Sequence, residues 1–352
     1  MCTRLRYNTS MKLTYKVKHG RDFSEHLKKA KKVAEFAIQN RDKLSSANVK
    51  HIGLPSAISS QVLRKYGRNK RCKKISNANL IVPGQGIKRA GVVITITCLK
   101  LELELRKSFQ KVNQIELDNA YAYITVTVED EPQYRPKVTI GIDRNATGHI
   151  IVAACPETGK VYKLGKKAGH IRKKYKQIRR ELQHKGKFKK LKAIKRRESN
   201  IIRDLNHKIS REIINLAKGL KGRVVMEELK GIRSRAKSAR SFRHALHSWS
   251  FYQFQTFLEY KAQLAGVPVE YIDPYHTSKC CSRCGLVGNR QQKSFKCNNC
   301  SHVDHADSNA AFNIALVGKG VFDFSKKVIA GKGVLAPRNE LCLASNSRTP
   351  RL

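Results

Sequence analysis

The sequence predicts an α/β core with an inserted four-cysteine ribbon, preceded by a small antiparallel β-barrel that carries a helical insertion. Three observations lead there. Two Cys-x-x-Cys pairs, Cys281 with Cys284 and Cys297 with Cys300, stand twelve residues apart. Asp143 and Glu227 each end a short apolar, β-branched run, and Asp307 opens a helix-patterned stretch. The polar, proline-bearing segment 129–136 separates this region from a first part that alternates apolar and polar residues in a different arrangement.

The elements follow in chain order. Met11, Leu13, Tyr15 and Val17 alternate as a half-buried strand does. Phe23, Leu27, Ala30, Ala34 and Ala37 recur at helical spacing, and Ile58, Val62 and Tyr66 suggest a second short helix. Pro83, Gly84 and Gly86 interrupt the chain. Residues 92–104 read as one or two strands and 121–128 as another. Residues 1–136 are thus expected to form a small antiparallel barrel with a helical insertion at about 20–70. A second domain is expected from 137–277 and 302–318, with the ribbon at 278–301 between its two pieces. It starts with three short strands, 138–143, 149–155 and 160–164, joined by tight turns as an antiparallel meander. Residues 166–219 read as a basic helical hairpin. Its first stripe is Ile171, Tyr175, Ile178 and Leu182. Its second, longer stripe runs through Phe188, Leu191, Ile194, Ile201, Leu205, Ile209, Ile213 and Leu216. A strand at 223–229, a mobile basic loop at 230–248, a helix at 250–266, a strand at 268–273 and a helix at 307–317 follow. Residues 319–352 lack periodicity and read as a flexible tail.

Composition narrows the function. The chain has 352 residues, 72 Lys and Arg against 26 Asp and Glu, and a formal charge of +46. So one-sided a charge repels itself unless a polyanion neutralises it, and nucleic acid is the usual partner. Within 166–203 there are 17 Lys and Arg and two acids, Glu181 and Glu198, opposite an apolar stripe. That pattern fits a phosphate-facing surface, with Lys173, Lys174, Arg179, Arg180, Lys189, Lys190, Arg196 and Arg197 as candidate contacts. Arg233, Arg235 and Arg240 in the basic loop are further candidates. No run of 18 apolar residues occurs, which excludes a membrane-spanning helix. Residues 1–17 lack the apolar core of a signal peptide, so the chain is expected to stay inside the cell. Its ten cysteines are then not a disulfide framework.

The chemistry rests on two sets of residues. Two Cys-x-x-Cys knuckles present four thiolates to one ion, the arrangement of a structural zinc site closed to solvent. Gly285, after the first pair, stands where such a turn needs a permissive backbone. Cys280 with Cys284 is an alternative first pair. The acids carry the second set. Three carboxylates brought together in a basic protein repel one another unless cations lie between them. Mg²⁺ favours carboxylate and water oxygens, and two such ions can position a water and stabilise the leaving oxygen of a phosphodiester. Glu228 and Asp304 are alternatives to Glu227 and Asp307.

Four stretches in this order resemble the TnpB (OrfB-type) transposon-associated family, relatives of the compact type V CRISPR effectors. They are Gly141-Ile142-Asp143-Arg144-Asn145, Val224-Val225-Met226-Glu227-Glu228-Leu229, residues 277–285 with their cysteines, and Asp307-Ser308-Asn309-Ala310-Ala311-Phe312-Asn313-Ile314. The resemblance is firm over about 137–317 and looser before it. It implies an RNase H-like (RuvC) nuclease domain with an inserted zinc ribbon. It also implies Asp143, Glu227 and Asp307 as Mg²⁺-binding catalytic acids, a guide RNA from the transposon end, and a double-stranded DNA target. Two other readings stay open: a transposase-accessory protein that binds nucleic acid without cleavage, and a guide-free RNase H-like nuclease. A zinc-ribbon ribosomal or transcription factor fits the charge and the ribbon but not the three acids.

Overall fold

The structure, a computed structural model, describes residues 10–229 and 251–324. The predicted basic loop at 230–248, with Arg233, Arg235 and Arg240, lies outside the described residues, as does the expected tail from 325 onward; the tail's first residues, 319–324, are packed, with Phe322 and Phe324 buried beside Leu316. The chain divides into two compact units between Asp130 and Glu131.

In the first unit β1 (Ser10–Lys18) alternates exposed and half-buried residues, as its sequence predicts. The helical insertion comprises α1 (Ser24–Gln39), a 3-10 turn at Ser46–Ile52 and α2 (Ser56–Gly67). Asp22 holds the start of α1 by accepting from the Ser24 amide and hydroxyl. Ala30, Val33, Ala34 and Ala37 of α1 join Ile58, Val62 and Leu63 of α2 in one core. Then come β2 (Leu80–Pro83), β3 (Ile87–Ala90), β4 (Val93–Ile96), β5 (Leu101–Glu104), β6 (Lys111–Leu117) and β7 (Tyr121–Glu129). These form two antiparallel sheets, ordered β1-β7-β6-β2 and β3-β4-β5. Among the described residues neither ladder closes on itself, so the expected barrel is a pair of open sheets. The break falls where Pro83 ends β2 and a 3-10 turn over Gly84–Gly86 takes the chain away. A side chain on Gly84 would meet the Val112 carbonyl oxygen at 2.6 Å.

The second unit is α/β. Its sheet contains β8 (Val138–Arg144), β9 (Ile151–Cys155), β10 (Lys160–Leu164), β11 (Gly222–Glu227) and β12 (Val269–Ile272), in the order β10-β9-β8-β11-β12. The first three pair antiparallel as a meander, and β11 lies parallel to both β8 and β12. The predicted linker is only partly free chain: the Tyr134 hydroxyl donates to the Gly222 carbonyl (2.8 Å), and Lys218 pairs with Glu131 (2.7 Å).

Between β10 and β11 lie α3 (Lys167–His184), α4 (Phe188–Ile194) and α5 (Arg197–Gly219). The long second stripe of the sequence is therefore two helices. Phe188 and Ile201, assigned to that stripe, are exposed, whereas Ile202, Ile209, Ile213 and Ile214 are buried. At the start of α5 Ile202 rather than Ile201 faces the core, while Ile209 and Ile213 hold their predicted places. Next come α6 (Phe251–Leu264), the ribbon strands β13 (Asn289–Gln291), β14 (Ser294–Lys296) and β15 (Val303–His305), and finally α7 (Ala306–Gly318). The ribbon thus runs to His305 and passes straight into α7.

Strand periodicity sorts the central sheet. Ile140 and Ile142 of β8, with Val224 and Met226 of β11, share a core with α5 and α6, including Phe254 and Leu258. Burying each such side chain stabilises by about 1.5–3 kcal/mol. The alternate positions, Gly141, Asp143, Val225 and Glu227, therefore face the other way, toward α7. A side chain on Gly141 would meet the Ala311 carbonyl oxygen at 2.1 Å and the Ala315 amide at 2.4 Å. One on Gly318 would meet Val225 at 2.7 Å. Glycine at 141 is what lets the backbone of α7 rest on β8.

Candidate active site and cysteine centre

The α7 face of the sheet carries the acids. Ile142 and Met226 are register partners in the parallel β8–β11 ladder, so Asp143 and Glu227 stand side by side one step further along. Both lie at the C-terminal ends of their strands. Asp307 sits in the first turn of α7, the helix whose close approach Gly141 permits. Asp143 is 9% exposed and Asp307 1%. Burial, with Glu227 and Asp307 adding their negative charge, pushes the Asp143 carboxyl up to about 7. Burial also raises Glu227, against the pull of the Thr277 hydroxyl and of Arg144. The chain therefore brings Asp143 within electrostatic reach of both Glu227 and Asp307.

The alternatives separate from this group. Glu228 is exposed, and its backbone amide bonds the Ile272 carbonyl. Asp304, on β15, accepts from the His305 amide (2.6 Å) and lies 4.0 Å from His302. Asp307, and not Asp304, is among the carboxylates that raise Asp143.

Several neighbours position the acids, and sequence reasoning assigned them no role. The Asn145 amide donates to Asp143 Oδ2 (2.8 Å). The Thr277 hydroxyl donates to Glu227 Oε1 (2.5 Å). Arg144, buried at the end of β8, donates to the Glu227 carbonyl oxygen and to Gln255 of α6. Arg290 and Lys293, from β13 and the β13–β14 turn, reach Asp307 at 3.3 and 2.6 Å. Asn145, Thr277 and Arg144 fall inside the stretches that carried the family resemblance, which was the available signal. Arg290 and Lys293 had none, being two among 72 basic residues.

The four predicted cysteines converge. Cys281 Sγ lies 3.6 Å from Cys300 Sγ, Cys284 Sγ lies 3.5 Å from Cys297 Sγ, and all four lie within 4.8 Å of one another. A zinc–sulfur bond of about 2.3 Å in tetrahedral geometry sets sulfurs ~3.8 Å apart, whereas a disulfide needs about 2.05 Å. The set fits one tetrahedral zinc and no disulfide. Among the described residues it is the metal-ligating group that meets this tight spacing. Gly285 takes the left-handed conformation (φ +75°) expected after the first knuckle, and Ser301 takes it after the second (φ +55°). Cys280 is excluded: it packs with Leu316, Phe322 and Phe324, and burial pushes its thiol up to about 11.

The ribbon and the acid site are joined by hydrogen bonds. Asn309 of α7 donates to the Cys280 carbonyl (2.7 Å) and accepts from the Ser282 amide (2.9 Å). Asn313, one turn on, donates to the Thr277 and Cys280 carbonyls (2.8 and 2.7 Å). The helix that carries Asp307 therefore holds the first knuckle, and the stretch leading into that knuckle holds Glu227 through Thr277.

A model of the Cas12f1-like TNB domain matches residues 251–314, a stretch that includes all four cysteines and Asp307. A TnpB-like protein of Methanocaldococcus jannaschii is 36% identical over 170 residues, 47% of this chain and 60% of that protein. Over this region the chain is similar to TnpB-like proteins. The CRISPR-associated endodeoxyribonuclease Cas12f1 of Sulfoacidibacillus thermotolerans is 33% identical over 216 residues, 55% of this chain and 50% of that protein. The chain thus spans between half and two thirds of the length of these relatives. Among solved structures, the Cas12f1–sgRNA–target DNA complex has the same overall fold. Its TM-score is 0.58, with 17% identity over 83% of this chain and 82% of that one.

The basic candidates divide by exposure. Lys173, Lys174 and Arg180 of α3, Lys189 and Lys190 of α4, and Arg196 and Arg197 at the start of α5 are exposed. Arg179 is half-buried and pairs with Glu198, tying α3 to α5. Engaged in that helix–helix pair, Arg179 is less available to a phosphate than the exposed Arg180 beside it. Among the described residues, no helix is long and apolar enough to cross a membrane.

Proposed function

We propose that this chain is an RNA-guided DNA endonuclease of the TnpB type with an RNase H-like (RuvC) site, in which Asp143, Glu227 and Asp307 hold Mg²⁺ and hydrolyse phosphodiester bonds. The observation that carries the reading is that Asp143 and Glu227 each follow a register partner, Ile142 and Met226, of two parallel strands, under a helix that carries Asp307. Three carboxylates crowded so that one holds its proton to about pH 7 form a site short of positive charge. All-oxygen ligation suits Mg²⁺. Bound there, Mg²⁺ would supply Lewis acidity and an activated water. The chain's own part is to fix the oxygens. Asn145 and Thr277 orient the Asp143 and Glu227 carboxylates, Arg144 locks the ends of β8 and β11, and α7 sets Asp307. The cysteine quartet, closed by four thiolates, is a structural zinc site.

Exposed lysines and arginines of α3, α4 and α5 supply phosphate contacts. A guide RNA from the transposon end and a double-stranded DNA target follow from the family reading, in which base pairing selects the sequence and the protein reads duplex shape. The test is cleavage of a plasmid carrying a guide-matched site by the protein with RNA and Mg²⁺, beside Asp143→Ala. Equal products from both proteins would remove the nuclease. Sequencing the RNA that co-purifies separates guided from guide-free action, and no enriched species would favour the guide-free nuclease.

A further inference from the structure

Lys293 holds a position that the proposed chemistry does not use. It sits in the turn between β13 and β14, beside Gln292 in the left-handed conformation (φ +52°). Its carbonyl accepts from the Ala306 amide (2.9 Å), which fixes the turn against the start of α7. Its ammonium donates to Asp307 Oδ2 (2.6 Å) and reaches Asn145 Oδ1 at 3.4 Å. The Asn145 amide in turn donates to Asp143 Oδ2 (2.8 Å). One ammonium therefore bridges two of the three acids, directly to Asp307 and through Asn145 to Asp143. Arg290 occupies the other oxygen of Asp307, at 3.3 Å.

We propose that Lys293 is a resident counter-cation of the acid site, standing between Asp143 and Asp307 until a divalent ion displaces it. This rests on the metal-binding reading above. An ion coordinated by Asp307 Oδ2 would lie about 2.1 Å from that oxygen. Two positive centres on the same oxygen, both within ~3 Å of it, repel strongly where water is scarce. Asp307 is 1% exposed, whereas the Lys293 side chain is 40% exposed and has solvent to move into. A lysine suits the part: it is a compact charge on a flexible stem, where arginine's planar fork holds its partner more rigidly. Metal binding is then an exchange of cations. The hairpin of the zinc ribbon sets its cost, and the ribbon thereby tunes the affinity of a site it does not ligate.

The experiment uses the full-length, zinc-loaded chain and Mn²⁺ as the probe, with free Mn²⁺ read by electron paramagnetic resonance. Lys293→Met should bind Mn²⁺ roughly three- to tenfold more tightly than the unmodified protein. Its metal-free form should melt at a lower temperature and gain more on Mn²⁺ addition. In the unmodified protein, labelling of the Lys293 amine, followed by mass spectrometry, should speed up when Mn²⁺ saturates the site; this arm needs no variant to fold. Lys293→Met affinity equal to or weaker than wild type, or labelling indifferent to Mn²⁺, would overturn the exchange. If Asp143→Ala binds Mn²⁺ as the unmodified protein does, the metal-binding reading fails and the exchange falls with it.

Discussion

The cysteine quartet and the carboxylate trio lie on the same piece of structure and are built in opposite ways. The quartet comes from twenty residues of chain, 281–300, and its sulfurs already stand at the spacing one zinc requires. The trio comes from two strands and a helix spread over residues 143–307, and its spacing depends on how those elements pack. The difference is between ligands fixed by local turns and ligands fixed by tertiary contact. The first kind survives as long as its loop does. The second is only as exact as the approach of α7 to β8.

The largest effects break one site and spare the other. Asp307→Asn is expected to lower plasmid cleavage by on the order of 10³-fold or more while zinc content stays at one per chain, as read by cleavage and by metal analysis. Nucleic-acid affinity should hold or rise, since a negative charge is lost; weakened binding would mark Asp307 as structural. Cys297→Ser should lose the zinc and several kcal/mol of stability, with a fall of ~10 °C or more in melting temperature. Because Asn309 and Asn313 tie the ribbon to α7, it should also weaken Mn²⁺ binding at the acids, where a purely local cysteine site would leave that binding alone.

Gly141→Ala sharpens the contrast. Its methyl meets backbone of α7, which cannot turn aside as a side chain can, so a loss of about 1–3 kcal/mol is expected. Mn²⁺ binding should weaken with zinc retained. Unchanged Mn²⁺ affinity would mean that Asp307 does not depend on this approach. A smaller effect comes from pH. Asp143 releases its proton near 3.8 when unfolded and near 7 when folded, so the metal-free fold loses stability as pH rises between these values and no further above 7. A divalent ion must displace that proton. Mn²⁺ affinity should therefore climb by up to about tenfold per pH unit below 7 and level off above it, as measured by titration calorimetry.

What the sequence disclosed follows the same division. Features carried by neighbours in the chain were legible: the two knuckles, the alternation of β1, the apolar run ending at Asp143, and the glycine after Cys284. Features created by packing were not. The β6 strand, with Asn113, Gln114 and Glu116 and a bulge between Val112 and Gln114, reads as polar chain because its neighbours bury only part of it. The break between α4 and α5 was hidden because isoleucines and leucines on both sides keep a helical period. Arg179 looked like its neighbour Arg180, and only the fold supplies Glu198 as its partner. That pair gives the smallest test: Arg180→Gln should reduce the salt dependence of nucleic-acid binding by about one unit, and Arg179→Gln should leave it unchanged.

The chain order of the acids has a consequence for synthesis. β8 and β11 leave the ribosome well before the ribbon, and α7 follows only after both knuckles have been made. A nascent or truncated product ending before residue 307 carries two carboxylates and cannot complete the trio. Assembly of the three acids thus waits until α7 has emerged and docked.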